Sequence, residues 1–445
     1  MRLYLGIDLG STTTKAVVMA DETVILGKGI TNSRSNYDTA CTIAQTEAFI
    51  DTRFSLFRQR LSGAGLRTLS ADRFLAQLEA DFRLRQYLNQ LEHLREVSLH
   101  EAQAKRYEAV QEVLAEKLMT LFGRMQAEAP GLFALGSVKR SDFFRDLAGS
   151  AYMRLAEGVA DPDGVNYSLL ASIYDKCIIR VENAVLDLTF ESNIGKALDR
   201  TFSAFAALTP AEREQLTQAA RASTDEPLEV VNAVGTGYGR ARLPFAKEQI
   251  RSEILCHGLG AHYMYPQTAT VLDIGGQDTK AIQVDRGGIV TGFQMNDRCA
   301  AGCGRYLGYI ADELNLGVQE LGPLALKSEK AVRINSTCTV FAGAELRERL
   351  NNGEKREDIL NGLHRAIILR AMSLLARSGG VSNEFTFTGG VANNAAAVAA
   401  LKQLIQENYG ERTLNISPNS IFTGAIGACL FAQRDTPGAA AQSAA

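Results

Sequence analysis

Two short segments more than half the chain apart spell nearly the same turn: Gly6-Ile7-Asp8-Leu9-Gly10-Ser11-Thr12-Thr13-Thr14-Lys15 and Leu272-Asp273-Ile274-Gly275-Gly276-Gln277-Asp278-Thr279-Lys280. Each leaves an apolar run, meets an aspartate, turns on glycine, continues in hydroxyl or amide side chains and closes on a lysine. Glycine at such a turn lets backbone N–H groups approach an anion with no Cβ in the way. One Asp-x-Gly turn is usually a plain tight turn. A matched pair is a stronger constraint, because it asks for two similar lobes whose turns face each other across one polyphosphate.

The pattern around the turns agrees with an α/β chain. Residues 3–7 and 16–19 read as strands, with a third over 24–29, and the same succession returns at 270–274, 281–284 and 288–293. Residues 385–394 read as a strand ending in the Gly389-Gly390 turn before an Ala-rich helix. Between the two halves the character changes. Residues 66–122 contain no Gly or Pro and are rich in strong helix formers; a single helix of that length would run about 85 Å, so a helical hairpin is expected. Asp161-Pro162-Asp163-Gly164 marks a turn, and Thr209-Pro210 with Glu212 marks a capped helix start. The expected organisation is a first half from 1–40 plus 226–268, a helical insertion over 41–225, a second half over 269–435 and a disordered Pro/Gly/Ala/Ser tail from 436.

Charge excludes one class of partner. The net charge is −3, leaving no Lys/Arg excess to neutralise a nucleic acid. No run approaches about 20 uninterrupted apolar residues, so no membrane span is expected. Seven cysteines in a large chain argue against a disulfide framework and for a reducing, cytoplasmic setting.

A Walker-type loop is absent from the sequence, so the duplicated turns are the candidate nucleotide clamp. Gly10, Ser11, Thr12, Thr13 and Lys15 on one side, and Gly275, Gly276, Gln277 and Lys280 on the other, are the candidate phosphate ligands. Gly389, Gly390 and Asn393 stand where an adenosine loop would follow. Asp8 and Asp273 cannot take phosphate directly; they are candidates to hold Mg²⁺ through water or to orient the attacking water. These motifs resemble the actin-like ATPase superfamily, whose two ribonuclease-H-like halves grip ATP between two phosphate hairpins. The resemblance covers the chain apart from the insertion and tail.

Cysteines follow the second turn. Cys299, in Asn296-Asp297-Arg298-Cys299-Ala300-Ala301-Gly302-Cys303-Gly304-Arg305, and Cys338, in Ser336-Thr337-Cys338-Thr339, each precede an expected helix, whose N-terminus favours a thiolate. Taken alone, they are more readily explained as small buried thiols, with Cys299 and Cys303 merely i and i+4 neighbours. Zinc would ask for a Cys-x-x-Cys pair or nearby histidines, whereas two thiols are half of the four that a [4Fe–4S] cluster needs. Together with residues 6–15, 235–240, 252–261, 272–280 and 388–394, these segments are similar to the activator family of ATP-driven electron transfer. That family comprises 2-hydroxyacyl-CoA dehydratase activators and the ATP-binding subunits of class I benzoyl-CoA reductases.

The resemblance implies that Cys299 and Cys338 hold a [4Fe–4S] cluster shared with a homologous ATP-binding subunit. Reduced ferredoxin would charge it, and catalytic aryl-CoA-binding subunits would receive the electron. Cys303 departs from the family pattern, where Thr is usual, and leaves the ligand count open. The long insertion makes the chain resemble the larger ATP-binding subunit of the four-subunit benzoyl-CoA reductases of anaerobic aromatic degradation. Two alternatives stay open: a homodimeric activator of a 2-hydroxyacyl-CoA dehydratase, and a sugar-kinase-like phosphotransferase with structural cysteines. The insertion itself reads as a docking or lid element, or as an inert elaboration.

Overall fold

β1 (Arg2–Leu9) is buried along nearly its whole length, with Leu3, Leu5, Ile7 and Leu9 on one face and Tyr4 on the other. A strand apolar on both faces belongs in the middle of a sheet. β2 (Thr13–Ala20) and β3 (Ile25–Asn32) follow it as an antiparallel meander. A computed structural model describes residues 1–21, 23–33, 36–62, 70–137, 141–161, 164–296, 303–330, 332–334 and 339–436. Cys299, Cys338, part of the 161–164 turn and all but the first residue of the expected tail lie outside the described residues.

The chain forms two compact units, Met1–Ala48 with Leu228–Ala445, and Phe49–Pro227. α1 (Tyr37–Ser62) begins in the first and ends in the second. The second unit continues with α2 (Ala71–Ala102), α3 (Gln111–Leu132), α4 (Phe144–Val159), α5 (Tyr167–Glu182), α6 (Phe190–Ala204) and α7 (Pro210–Asp225). The stretch without Gly or Pro is thus divided between α2 and α3, joined by a short 3₁₀ turn. One end of the unit packs on rings: Phe54 meets Phe82 edge-on at 5.3 Å and Phe190 at 5.1 Å. The other packs on Tyr152, Phe122 and the aliphatic faces of α3, α4 and α5. α7 opens with the reciprocal cap that its sequence announces: Glu212 N–H donates to Thr209 Oγ1 at 3.2 Å, while Thr209 N–H donates to Glu212 Oε2 at 3.0 Å.

The first unit holds two sheets of the same design. β4 (Glu229–Thr236) pairs parallel with β1, giving the order β3-β2-β1-β4. α8 (Glu253–Met264) leads to β5 (Thr270–Ile274), β6 (Thr279–Val284) and β7 (Val290–Asn296). Then come α9 (Gly304–Leu314), α10 (Val318–Ala325), α11 (Thr339–Asn351), α12 (Arg356–Ser378), β8 (Phe385–Thr388), α13 (Ala395–Tyr409), the two-residue β9 (Leu414–Asn415) and α14 (Thr423–Arg434). The second sheet has the order β7-β6-β5-β8-β9, with β5 antiparallel to β6 and parallel to β8. Register repeats to the residue: Asp8 lies opposite Lys15 and Thr236, and Asp273 opposite Lys280 and Thr388.

Length and mean hydropathy alone would let α12 cross a membrane. Its apolar side chains Ile359, Leu363, Ile367 and Leu375 are instead buried in the core over the second sheet.

Candidate functional site

Each aspartate stands at the end of a central strand, where the parallel neighbour also ends. Asp8 is 3% exposed and Asp273 1%. Gly10, Ser11 and Thr12 make the turn into β2, which Thr13 begins, and Gly275, Gly276 and Gln277 make the turn into β6. The two turns meet: a Cβ on Gly276 would collide with the Thr12 side chain. Gly389 follows β8 beside Asp273, at φ +83°, where its missing Cβ lets it lie on the Ile274 backbone. Gly390 and Asn393 are exposed on the loop that follows.

The comparisons bear directly on this arrangement. The chain matches the BadF/BadG/BcrA/BcrD ATPase family over residues 5–432. It belongs to that family. Among curated relatives, the (R)-2-hydroxyglutaryl-CoA dehydratase activating ATPase of Acidaminococcus fermentans is 42% identical over 201 residues, 45% of this chain and 75% of that protein. One subunit of the benzoyl-CoA reductase of Thauera aromatica is 32% identical over 175 residues, 39% of this chain and 62% of that protein. The solved structure of the Acidaminococcus dehydratase component A gives a TM-score of 0.55 at 22% identity, covering 98% of this chain and 99% of that one, and shows the actin-like ATPase fold. The expected closeness to benzoyl-CoA reductase subunits is therefore corrected: likeness to the dehydratase activators is greater.

Within this ATPase fold the two lysines, matched in sequence, differ in setting. Lys15 Nζ lies 3.5 Å from Asp8 Oδ2 and arches over the first turn, where a Cβ on Gly10 would come within 3.1 Å of it. Lys280 is 1% exposed and enclosed by carboxylates: Asp278 Oδ1 at 2.7 Å, Glu253 Oε1 at 2.8 Å and Asp273 Oδ2 at 3.3 Å. It neutralises the floor of the second hairpin. Burial alone would lower its pKa, but the three carboxylates outweigh burial and hold it above the usual lysine range.

His257, on α8, had no role assigned from the sequence. Its Nδ1 lies 3.2 Å from Asp273 Oδ1, off the line of a hydrogen bond, and Thr388 Oγ1 donates to that same oxygen at 2.8 Å. Burial works against the Asp273 charge, yet His257 and Lys280 beside it hold its carboxyl far below the usual range. Burial likewise opposes charge on His257, and Asp273 overrides it and raises the imidazole pKa. Glu253, one helical turn before His257, is pushed up chiefly by burial, with Lys280 pulling the other way. Gly424 on α14 leaves the space between Asp8 and this histidine, since a Cβ there would stand 2.8 Å from His257 Nε2 and 3.0 Å from Asp8 Oδ2. The available sequence signal was the Glu253/His257 spacing of four, placing both on one helix face just before the second hairpin.

Asp8 and Asp273 differ in what they can still bind. Both Asp273 oxygens are engaged, whereas Asp8 Oδ1 is buried with no hydrogen-bond partner among the described residues. A buried carboxylate oxygen without a donor fits a cation or its water. Among the described residues no group of three or more His, Cys, Asp or Glu side chains is arranged to hold a metal.

A second buried histidine supports the loop after β8. His364 donates from Nδ1 to Leu360 O at 2.7 Å, which leaves Nε2 to accept from Asn394 Nδ2 at 3.0 Å. Asn394 is thereby turned so that its Oδ1 accepts from the Ala396 and Ala397 N–H groups and caps α13. Burial lowers the His364 pKa from 6.5. A folded value below the unfolded one means that its stabilising effect is complete above pH 6.5 and is lost as pH falls through the folded value. The wild type is therefore expected to lose thermal stability more steeply below pH 6.5 than His364→Leu does; parallel pH profiles of Tm would exclude it.

Proposed function

We propose that this chain is an ATP-hydrolysing activator of the kind that serves 2-hydroxyacyl-CoA dehydratases, passing electrons from reduced ferredoxin to a separate catalytic partner. The observation that carries this is the pair of matched hairpins meeting at Thr12 and Gly276, in a member of an ATPase family whose 42% identical relative is an activating ATPase. Backbone N–H groups of the two turns, with Ser11, Thr12 and Thr13, bind the β- and γ-phosphates. Lys15 offsets their charge, and the Gly389–Asn393 loop holds the adenosine. Asp8 Oδ1 takes Mg²⁺ through its water shell. Asp273, kept ionised and fixed by Thr388, His257 and Lys280, uses a remaining lone pair to accept a hydrogen bond that orients the attacking water; the water oxygen bonds to the γ-phosphorus as the bond to the ADP oxygen breaks, and its proton passes to an oxygen of the released phosphate.

Cys299 and Cys338 would supply two thiolates of a [4Fe–4S] cluster completed by a second copy of the chain. When bound, such a cluster carries one electron at a time. Supporting this choice, burial pushes the thiols of Cys41 and Cys256 up to about 12 and raises those of Cys177 and Cys429, so these four are poor thiolate donors. The second reading, an ATP-binding subunit of a benzoyl-CoA reductase, rests on the 32% likeness to the Thauera reductase and on the large second unit Phe49–Pro227, which suits the larger subunit of such a reductase.

The test is anaerobic purification of the full chain with iron, sulfide and mass determination. The expected particle is a dimer carrying one four-iron cluster and hydrolysing ATP. Cys299→Ser and Cys338→Ser should each lose the iron and its visible absorption while keeping ATP affinity within about threefold; either variant with full iron content removes that ligand from the assignment. Reconstitution with each class of catalytic partner separates the two readings.

A further inference from the structure

Both phosphate turns are held from behind through their carbonyl oxygens, but by different elements. In the first, Ser33 Oγ donates to Gly10 O at 2.5 Å and Ser33 N–H donates to Thr12 O at 2.8 Å. In the second, the donors are the opening N–H groups of α9: Gly304 to Gly275 O and Arg305 to Gly276 O, both at 2.8 Å. Those N–H groups have no partner inside their own helix, and the side chain of Cys303 does not cap it. The phosphate turn is the cap of α9.

The peptide plane gives this arrangement its consequence. In a trans peptide the C=O and the following N–H point in opposite directions, and neither bond here is among the cis peptides of the chain. With Gly275 O and Gly276 O turned onto α9, the N–H groups of Gly276 and Gln277 point away from it. A Cβ on Gly276 would meet the Thr12 side chain, so the first turn borders this one, and the two N–H groups, pointing away from α9, are left to a ligand held between the turns. A phosphate accepting from them polarises the same two peptide units and strengthens their carbonyls as acceptors, an effect of roughly 10–30% per bond in hydrogen-bonded chains.

Gly304 permits the close seat. A Cβ there would stand 3.1 Å from Gly275 O, 3.4 Å from Val391 Cγ2 and 3.6 Å from Gly276 Cα. The first turn of α9 therefore rests on the second phosphate turn and on the loop after β8 together, while Tyr306, Leu307, Ile310 and Leu314 anchor the rest of the helix in the core.

We propose that the peptide units 275–276 and 276–277 are a two-sided relay, gripping the terminal phosphate of a nucleoside triphosphate with their N–H face and the first turn of α9 with their C=O face. The relay makes Gly304 and Arg305 positioning residues that read the nucleotide state. It rests on the nucleotide reading of the cleft. Among the described residues Ser33 backs the first turn from the loop after β3, whereas the second turn is backed by a helix.

Hydrogen–deuterium exchange on the full chain tests it, with Mg²⁺ and either ADP or a non-hydrolysable ATP analogue, binding of each being measured on the same sample by calorimetry. The Gly304 and Arg305 amides are expected to exchange more slowly with the analogue than with ADP. Gly304→Pro removes one donor at a helix position that tolerates proline, after a Cys303 already extended at φ −138°, ψ 174°, and Gly304→Ala, which keeps the donor but adds the same Cβ 3.1 Å from Gly275 O, is its steric control. The proline variant should weaken the analogue roughly 3- to 10-fold relative to ADP and abolish the α9 response. Equal α9 exchange in the wild type with both nucleotides bound overturns the relay and leaves the nucleotide site standing. An unchanged analogue preference in Gly304→Pro overturns it as well. Failure of the wild type to bind either nucleotide overturns the functional reading beneath it. Should Gly304→Pro not fold, the wild-type comparison decides alone.

Discussion

Asp8→Asn is expected to slow ATP hydrolysis by about 10²- to 10⁴-fold with little change in thermal stability. The substitution keeps the size of a side chain that is 3% exposed while removing its charge and turning one acceptor oxygen into an amide donor. Among the described residues Oδ1 has no hydrogen-bond partner and Oδ2 has only the long 3.5 Å contact to Lys15. Little native hydrogen bonding is therefore lost, whereas the attraction for a divalent cation is. The apparent Mg²⁺ requirement should rise, and high Mg²⁺ should restore part of the rate. Asp273→Asn should behave differently, because it leaves His257 and Lys280 without the anion that balances them; its Tm should fall along with its rate. Hydrolysis by Asp8→Asn within about threefold of wild type at saturating Mg²⁺ would remove Asp8 from the cation site.

That contrast between two aspartates in equivalent registers also marks the limit of what the sequence disclosed. The duplication was legible because a strand, a turn and a strand are contiguous, and the Asp-to-Lys spacing sets the register by itself: Asp8 opposite Lys15, Asp273 opposite Lys280. The different settings of the two lysines were written at one position. Where the first turn has Thr13, the second has Asp278, whose carboxylate draws Lys280 down to 2.7 Å. Glu253 and His257 were harder to place, since they reach the site from α8 only after the two strands have paired. The space above His257 depends on Gly424, a residue far along the chain with no side chain to announce it. Helical character in 66–122 followed from composition. Its division into two helices followed from its length; where α2 ends and α3 begins, and the choice of Phe54, Phe82 and Phe190 as a ring cluster, depend on long-range packing that no local pattern encodes.

Lys280→Met should cost the most stability of any single change at the site, about 3–5 kcal/mol at neutral pH. Methionine fits the volume but leaves Asp273, Asp278 and Glu253 facing one another in the interior without the ammonium that touches all three. Repulsion then selects the carboxylate whose charge is already least favourable. That is Glu253, raised by burial even with the lysine present, and its pKa rises further once Lys280 is gone. With a folded value above the unfolded one, the proton on Glu253 stabilises the variant at low pH, and that stabilisation is lost as pH climbs through the folded value. The deficit relative to wild type should accordingly be larger at about pH 8 than at about pH 5. Adding Asp278→Asn should recover part of the loss, because it removes one of the stranded charges, and the double variant should therefore be more stable than Lys280→Met alone. Chemical denaturation of the single and double variants across that pH range measures both effects. A Lys280→Met deficit below about 1 kcal/mol, or one independent of pH, would mean that Lys280 does not neutralise the floor of the second hairpin.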